Sequence, residues 1–344
     1  MNRRLWLLAA LCFSLAQLPA KADADKRIVK VMTRNMDAGT DFEWFFVIPD
    51  VTLAAQTTFS EVLGSNIPGR AALLAKEIAA EQPDLIALEE VTTWKAGPAG
   101  GEPTVVLDQL QLLLEALAAE GQHYEVVASQ SLANASLPLS ATEVVSFTDH
   151  DVILARTDRK QSEMALSNVQ QGVYQAEFGF PVGTGFLLVP RGWLSVDVKV
   201  RGKVMRFFCT HLESPISSIP ESTAVQVAQA DELLAIAGAT KLPVVLAGDF
   251  NANAENGPDH TPTTDHILAA GFTDTWRVFN PPGTGYTWPL FLEDFLSGTP
   301  VVPFERIDLV YERGLNTLGV EQSGLLSPWP SDHVGVVSTL QLEP

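Results

Sequence analysis

The sequence predicts an α/β or α+β sandwich, two packed sheets with helices outside them. Short apolar runs rich in β-branched residues far outnumber amphipathic helical stretches. Those strands come in consecutive runs as well as in strand–helix alternation, the mark of a sandwich carrying both kinds of connection. With 344 residues, 46% hydrophobic and 18% charged, the chain can bury a sizeable core and is too apolar for extended disorder. No repeat, low-complexity tract or linker divides it, so residues 23–344 read as one domain.

In chain order, Ile28 to Met32 alternates as a half-buried strand and ends at Arg34-Asn35. From Asp37 to Pro68 there is no clean period, only an aromatic cluster of Phe42, Trp44, Phe45 and Phe46. It reads as a loop or lid packed over the domain, with a substrate- or membrane-touching surface as the alternative. Gly69 to Gln82 is helical, with Leu73, Leu74, Ile78 and Ala79 on one face, and Pro83 stops it. Asp84 to Leu88 is the next strand, closing on Glu89-Glu90. Ala96 to Pro103 is a loop and Val105 to Ala119 a second amphipathic helix. Strands follow at Tyr124–Ala128 and Asp151–Ala155, and the segment from Gln161 to Val182 is ambiguous. Phe186–Val189, Trp193–Val200 and Val204–Thr210 are consecutive strands, the last two joined by a tight turn at Arg201-Gly202. Thr223 to Ala239 is a third helix. It leads into a buried strand, Pro243 to Ala247, which breaks at Gly248 into Asp249, Phe250 and Asn251. Phe304 to Tyr311 and Val334 to Leu340 complete the strands.

Residues 1–22 stand apart. Arg3 and Arg4 precede an apolar run from Leu5 to Ala16, and Pro19 to Ala22 supplies a small-x-small cleavage site, as in a secretory signal peptide. The run is too short for a comfortable membrane span, although an uncleaved anchor is the alternative. Leu11, not a small residue, precedes Cys12, which argues against a lipoprotein signal. No later stretch is apolar enough to cross a membrane. The expectation is a secreted or periplasmic, soluble monomer. Cleavage removes Arg3, Arg4 and Lys21 and no acid, leaving 19 basic against 41 acidic residues and taking the net charge from −19 to −22. So acidic a surface repels polyanions at long range, although a bound divalent cation inverts the field locally. Cys209 is then the sole cysteine, so no intramolecular disulfide forms, and its apolar neighbours make it a small buried hydrophobe.

One event recurs. Apolar strands end in Asn35, in Glu90, in His211, and in Asp249 with Asn251; Asp308 interrupts a strand and Asp332-His333 opens one. Charge in such surroundings is costly unless paired or bound to metal, so the recurrence points to one shared site on rigid elements. Asp249 and Asn251 are two apart and point the same way in extended chain; in isolation a plain Asp-Asn turn is the better reading, and it yields only because the same arrangement recurs. Carboxylates and amide oxygens suit a hard cation such as Mg²⁺. There is no cysteine cluster, HExxH or close histidine pair for zinc, no P-loop ending in Lys-Ser/Thr, and no GxSxG elbow. Metal-assisted attack of water on a phosphate ester remains.

Asn35, Leu88-Glu-Glu-Val91, Thr210-His-Leu-Glu213, Gly248-Asp-Phe-Asn251, Arg306-Ile-Asp308 and Ser331-Asp-His333 together resemble the ordered motif set of the endonuclease/exonuclease/phosphatase superfamily. That group contains pancreatic deoxyribonuclease, abasic endonucleases, neutral sphingomyelinases and inositol phosphatases. The resemblance runs from Ile28 to Leu340 and implies a four-layered αββα sandwich with the active site at one edge of two mixed central sheets. It implies Glu90 as the principal Mg²⁺ ligand (Mn²⁺ as an alternative), with Asn35 beside it and Asp332 as a further metal or second-sphere ligand. Asp249 would orient and deprotonate the attacking water, and Asn251 would bind phosphate or metal-bound water. His333, oriented by Asp308, would bind the scissile phosphate, with His211 on its other side or assisting the leaving group.

Glu89 departs from the pattern, standing where the superfamily commonly has Gln and adding an anionic neighbour. Arg70 and Gln229 read as structural. Arg191 and Arg306 read as braces of the site or as plain ion pairs, and His123, His150, His260 and His266 as surface or structural residues. The substrate expected is a phosphate ester of a nucleic acid, a phospholipid or a small phosphodiester, cleaved by a nuclease-like phosphodiesterase. A lipid phosphodiesterase of sphingomyelinase type would use the aromatic cluster after Asn35. The same motifs would also serve a phosphomonoesterase, and the same fold could carry a non-catalytic binding module.

Overall fold

The computed structural model describes residues 27–183, 185–257, 259–290, 302–325 and 328–343. The signal peptide expected at residues 1–22 lies outside them. The elements run β1 (Ile28–Asn35), α1 (Trp44–Val47), α2 (Val51–Gly64), α3 (Ile67–Glu81), β2 (Leu85–Glu89), β3 (Thr93–Pro98), β4 (Thr104–Asp108) and α4 (Gln109–Ala119). A long hairpin follows, β5 (Tyr124–Pro138) and β6 (Glu143–Arg156), then β7 (Met164–Val173), β8 (Phe178–Val182), β9 (Gly185–Val189), β10 (Gly192–Val200) and β11 (Lys203–His211). The chain ends with α5 (Pro220–Gly238), β12 (Val244–Asp249), α6 (Pro262–Ala269), β13 (Thr273–Asp274), α7 (Thr275–Phe279), β14 (Asp308–Arg313), β15 (Leu315–Ser323) and β16 (Gly335–Leu342).

Two mixed sheets pack face to face. One has the order β15-β16-β1-β2-β6-β3-β4, with β5 also paired to β6; the other runs β13-β14-β12-β11-β10-β7. Because side chains alternate along a strand, β2 splits cleanly. Leu85 and Ala87 meet Val196, Phe207, Val245 and Ala247 of the second sheet in the central core. Ile86 and Leu88 pack outward against Leu74 and Ile78 of α3 and Leu113 and Leu117 of α4. On the far side, Leu246 and Phe208 are covered by Leu233 of α5 and Ile267 of α6. Strands covered on both faces read as continuous apolar runs, which is why β2 and β12 stand out in the sequence. The fold is the predicted αββα sandwich.

Each sheet holds one parallel pair at its centre. β1 runs parallel to β2, with Asn35 opposite Glu89, and β11 parallel to β12, with His211 opposite Asp249. Antiparallel β16 flanks β1 and antiparallel β14 flanks β12, so that Asp308 at the start of β14 sits opposite Asp249. The ends of four strands and the beginnings of two others therefore share one edge.

Several local expectations change. Val105 to Leu107 are strand β4, not helix; their β-branched residues favour extension, and the Asp108 side chain caps α4 by accepting from the Gln111 N–H at 3.0 Å. The predicted loop from Ala96 loses its first residues to β3. The segment Asp37–Pro68 contains helix α2, whose buried residues are Ala54, Ala55, Thr58 and Val62 while Leu53 and Leu63 are exposed; small residues facing the core leave no apolar period to read. Residues 304–307 form only a bridge, Trp288 to Glu305, and the strand begins at Asp308. The turn at Arg201 and Gly202 has positive φ at both residues, 45° and 93°, as a two-residue hairpin requires.

Candidate active site

The shared edge collects the strand-end residues. Asn35, His211 and Asp249 are the last residues of β1, β11 and β12; Asp308 is the first of β14; His333 lies two residues before β16. Glu90 and Asn251 follow their strands in the left-handed region, at φ 55° and 49°. That conformation breaks the alternation of the strand. Glu89 continues inward between the sheets, while the turn at Glu90 directs its carboxylate into the cleft. Non-glycine residues at positive φ cost on the order of 1 kcal/mol or more and are kept where the surroundings fix them.

Asn35 ties the two sheets together. Its Nδ2 donates to Glu90 Oε1 at 2.9 Å and to Asp249 Oδ2 at 3.0 Å, while its Oδ1 accepts the Asp37 N–H at 2.8 Å. In this placement the amide presents its nitrogen, not its oxygen, to the carboxylates. The other oxygen of Glu90 accepts the Ala38 N–H at 2.8 Å, and the other oxygen of Asp249 accepts the Asn251 N–H at 2.8 Å. His333 Nδ1 lies 2.9 Å from Asp308 Oδ2 and 3.8 Å from Asp249 Oδ2. The His333 carbonyl is held by Arg34 at 2.6 Å. Asp332 accepts from Trp288 Nε1 at 3.3 Å and sits 3.9 Å from His333 Nε2.

The surroundings shift the two histidines in opposite directions. Burial works against a cation at His333, but Asp308, Asp332 and Asp249 outweigh it and hold its pKa well above the ordinary value. Burial, then Arg191 and His333, depress His211 well below it. Arg191 lies 3.0 Å from His211 Nδ1. A guanidinium only donates, so Nδ1 accepts and the proton of the neutral ring sits on Nε2. That Nε2 lies 3.6 Å from Asp249 Oδ2 and 3.0 Å from Asn251 Nδ2. The amide nitrogen is itself a donor, bonded to the Leu212 carbonyl at 3.0 Å, so the acceptor facing the Nε2–H is the Asp249 carboxylate and not Asn251.

The carboxylates are crowded. Burial, then Asp332, raises Glu90 to about 7; burial, then Asp332, raises Asp37 to about 6; burial raises Asp249 to about 6, with Asp308 adding to it. Ligand atoms of Glu90, His211 and Asp249 lie within 4.8 Å of one another. An excess of closely spaced carboxylates with oxygen donors fits a divalent cation, which relieves the repulsion the acids impose on each other. Glu89, expected as an anionic neighbour, lies inside: its carboxyl is fully buried, takes the Thr33 hydroxyl at 3.1 Å, and has its pKa pushed well above the ordinary value by burial, then by Asp151, Asp308 and Asp249.

Sequence reasoning misses Asp37, Asp41, Asp149 and Asp151. Arg70 pairs with Asp37 and also donates to its carbonyl at 2.7 Å. Asp149 and Asp151 lie on β6, and their signal is Asp-His-Asp inside an apolar strand longer than its pattern suggests. Of the remaining residues, Arg306 is locked between Glu255 and Asp274, at 2.9 and 2.5 Å, away from the cleft. Gln229 holds the Glu213 N–H at 2.8 Å, and His150 Nδ1 lies 2.9 Å from the Val91 carbonyl. His266 pairs with Asp231, and His260 pairs with Asp265 at the cavity rim.

Glu90, His211, Asp249, Asn251, Asp332 and His333 all open into one cavity of about 980 Å³. No helix among the described residues is long and apolar enough to cross a membrane. No curated protein matches the chain in sequence. Solved structures do resemble it. An endonuclease/exonuclease/phosphatase from Beutenbergia cavernae is 26% identical with a TM-score of 0.60, the match covering 92% of this chain and 72% of that one. A family protein from Leptotrichia buccalis is 17% identical at TM-score 0.59, over 91% and 99% of the two chains. A mannosyl-6-phosphatase from Bacteroides thetaiotaomicron is 16% identical at TM-score 0.51, over 91% and 99%. These last two likenesses speak for the fold. The profile of the Endonuclease/Exonuclease/phosphatase family matches residues 62–333, well over half of the chain. With the sandwich and the strand-end cluster in place, the chain belongs to the endonuclease/exonuclease/phosphatase family of divalent-metal-dependent phosphoester hydrolases.

Proposed function

We propose that the chain is an exported, Mg²⁺-dependent phosphodiesterase that works by direct attack of water on phosphorus. The observation that carries this is Asp249, one oxygen fixed by the Asn251 N–H and the other held by Asn35 between the two histidines. With its pKa raised to about 6 it suits taking a proton from water near neutral pH. His333, charged and oriented by Asp308, binds the phosphoryl oxygens and stabilises charge as it develops. His211, neutral with its proton on Nε2, donates a hydrogen bond to the phosphate or the departing oxygen. Glu90 would be the principal ligand for Mg²⁺, with Asp332 nearby; the ion would supply positive charge against the phosphoryl oxygens. A diester carries one negative charge and a monoester two, and so acidic a cleft favours the diester. Export rests on the signal-peptide pattern of residues 1–22.

The test is hydrolysis of bis(p-nitrophenyl) phosphate and of p-nitrophenyl phosphate, with Mg²⁺ and with chelator, alongside nicking of supercoiled plasmid. The expected result is metal-dependent turnover of the diester, preferred over the monoester. Asp249→Asn should lower kcat by about three orders of magnitude or more with the fold retained. Substantial activity in that variant removes Asp249 as the base. A monoester preference removes the diesterase assignment.

A further inference from the structure

We infer that the substrate is a phosphodiester bearing an apolar substituent, and that this substituent lies in an aromatic arm of the catalytic cavity. The inference rests on the phosphodiesterase reading above. The cavity that holds the acids and histidines is also lined by phenylalanines drawn from separate parts of the chain. Phe42 packs at a tilt against Phe147 of β6 at 4.8 Å, and Phe147 is backed by buried Trp94 at 5.2 Å, which makes a fixed floor. Phe46 of α1 packs on Phe180 of β8 at 4.7 Å. Of the lining residues, Phe46 is 52% exposed and Phe186 of β9 65%. Large aromatic side chains left open beside a reacting centre mark an apolar binding surface.

The same lining argues against a nucleic acid strand. Its basic residues, among those described, are Arg191, His211, His260 and His333, with no lysine. Arg191 is committed to His211 and Glu213, and His260 to Asp265. A strand carries a phosphate on each side of the scissile one and needs cationic partners for them. Acidic walls around a single phosphoryl site, continued by an aromatic arm, instead suit one phosphate with an apolar group attached. An aryl diester and an acyl-chain lipid share that chemistry.

The probe is a series of non-hydrolysable methylphosphinates, CH₃(R)PO₂⁻, with R running from ethyl to decyl plus phenyl, titrated calorimetrically into the mature protein with Mg²⁺ below the micellar range. Each methylene that enters the arm should tighten binding by up to about fourfold, so ethyl to octyl should gain about thirtyfold or more. A plateau at the size of one ring, with phenyl at least equal to hexyl, identifies the aryl source; a rise continuing to decyl identifies the lipid. Affinity independent of R overturns the inference, whatever the turnover assays give. Affinity that rises with R in a protein that hydrolyses no diester keeps the arm and removes the phosphodiesterase reading. Phe180→Asn should flatten the series relative to wild type, and an undiminished slope would place the chain elsewhere and overturn the assignment.

Discussion

Gly248 offers the most direct test of how the fold builds the site. A Cβ placed there would lie 1.9 Å from the Thr210 carbonyl oxygen, and real Cβ atoms essentially never come within 3.0 Å. Thr210 cannot give way. Its hydroxyl is bonded to the Gly192 carbonyl at 2.9 Å and to the Tyr174 hydroxyl at 2.8 Å, and its backbone is one rung of the β11–β12 ladder. Gly248→Ala must therefore push the two strands apart locally by about 1 Å, and the next rung is the His211–Asp249 pair. Overpacking of this kind costs about 1–3 kcal/mol, a loss of a few degrees in Tm for a chain of this size. A displacement of about 1 Å between catalytic groups costs on the order of a hundredfold in rate. The variant should stay folded at 25 °C by circular dichroism while its kcat/KM on bis(p-nitrophenyl) phosphate falls about a hundredfold. Gly238, at the end of α5, has nothing within 4 Å of its built Cβ, so Gly238→Ala serves as the control and should keep full activity. Wild-type kcat/KM in Gly248→Ala would mean that the close approach of the strands does not set the His211–Asp249 geometry.

Glu90→Gln should raise the Mg²⁺ concentration needed for half-maximal rate by tenfold or more, about the loss of one charged oxygen ligand; an unchanged metal titration would refute its ligand role. Asp308→Asn removes the nearest of the carboxylates that outweigh burial at His333, so the His333 pKa should fall toward its ordinary value. The alkaline limb of the rate profile should then move to lower pH and kcat drop by about 10²–10⁴; a profile unmoved on that side would show that protonated His333 is not required. Burial and neighbouring acids push the Glu89 pKa well above its ordinary value, so the unfolded chain gives up this proton at lower pH than the folded one, and wild-type stability should decline as pH rises above the ordinary glutamate value. Glu89→Gln should remove this slope, leaving the variant relatively more stable in urea at pH 8 than at pH 4, with an unaltered metal titration. Equal pH slopes in both proteins would mean that Glu89 is ionised in the fold.

The site is more legible in the sequence than its surroundings. Val244 to Ala247 and Leu85 to Leu88 are covered on both faces, so each gives an unbroken apolar run, and the acids that follow within two residues mark where the strand ends. That is how Asp249, Glu90, Asn35 and His211 can be found without any contact map. The rest depends on packing that sequence periodicity does not carry. Helix α2 hides because alanine and threonine, not leucine, face inward. Asp149 and Asp151 escape notice because the apolar run places the start of β6 at Asp151, whereas the strand begins at Glu143 and pairs with β5 along nearly its whole length. The aromatic arm is half visible. Phe42 and Phe46 stand out as a cluster, but Phe147, Phe178 and Phe180 come from distant stretches, and only the folded chain turns them toward the same space.

Glu89 and Glu90 carry the general lesson in two adjacent residues. Their side chains are alike, and in sequence both look like anions at the end of one strand. Strand geometry sends Glu89 between the sheets, where burial and neighbouring acids push its pKa well up, and the left-handed turn at the next residue brings Glu90 into the cleft. The cleft is then lined by Asp41, Glu90, Asp149, Asp249 and Asp332 against Arg191 and His333, a balance that repels an incoming phosphate. Such an arrangement binds an anion well only with an added cation, so the metal requirement follows from the charge balance as much as from any single ligand. The same balance limits what the site accepts. A substrate with many phosphates meets acid on every side, and one that hides its remaining bulk among phenylalanines does not.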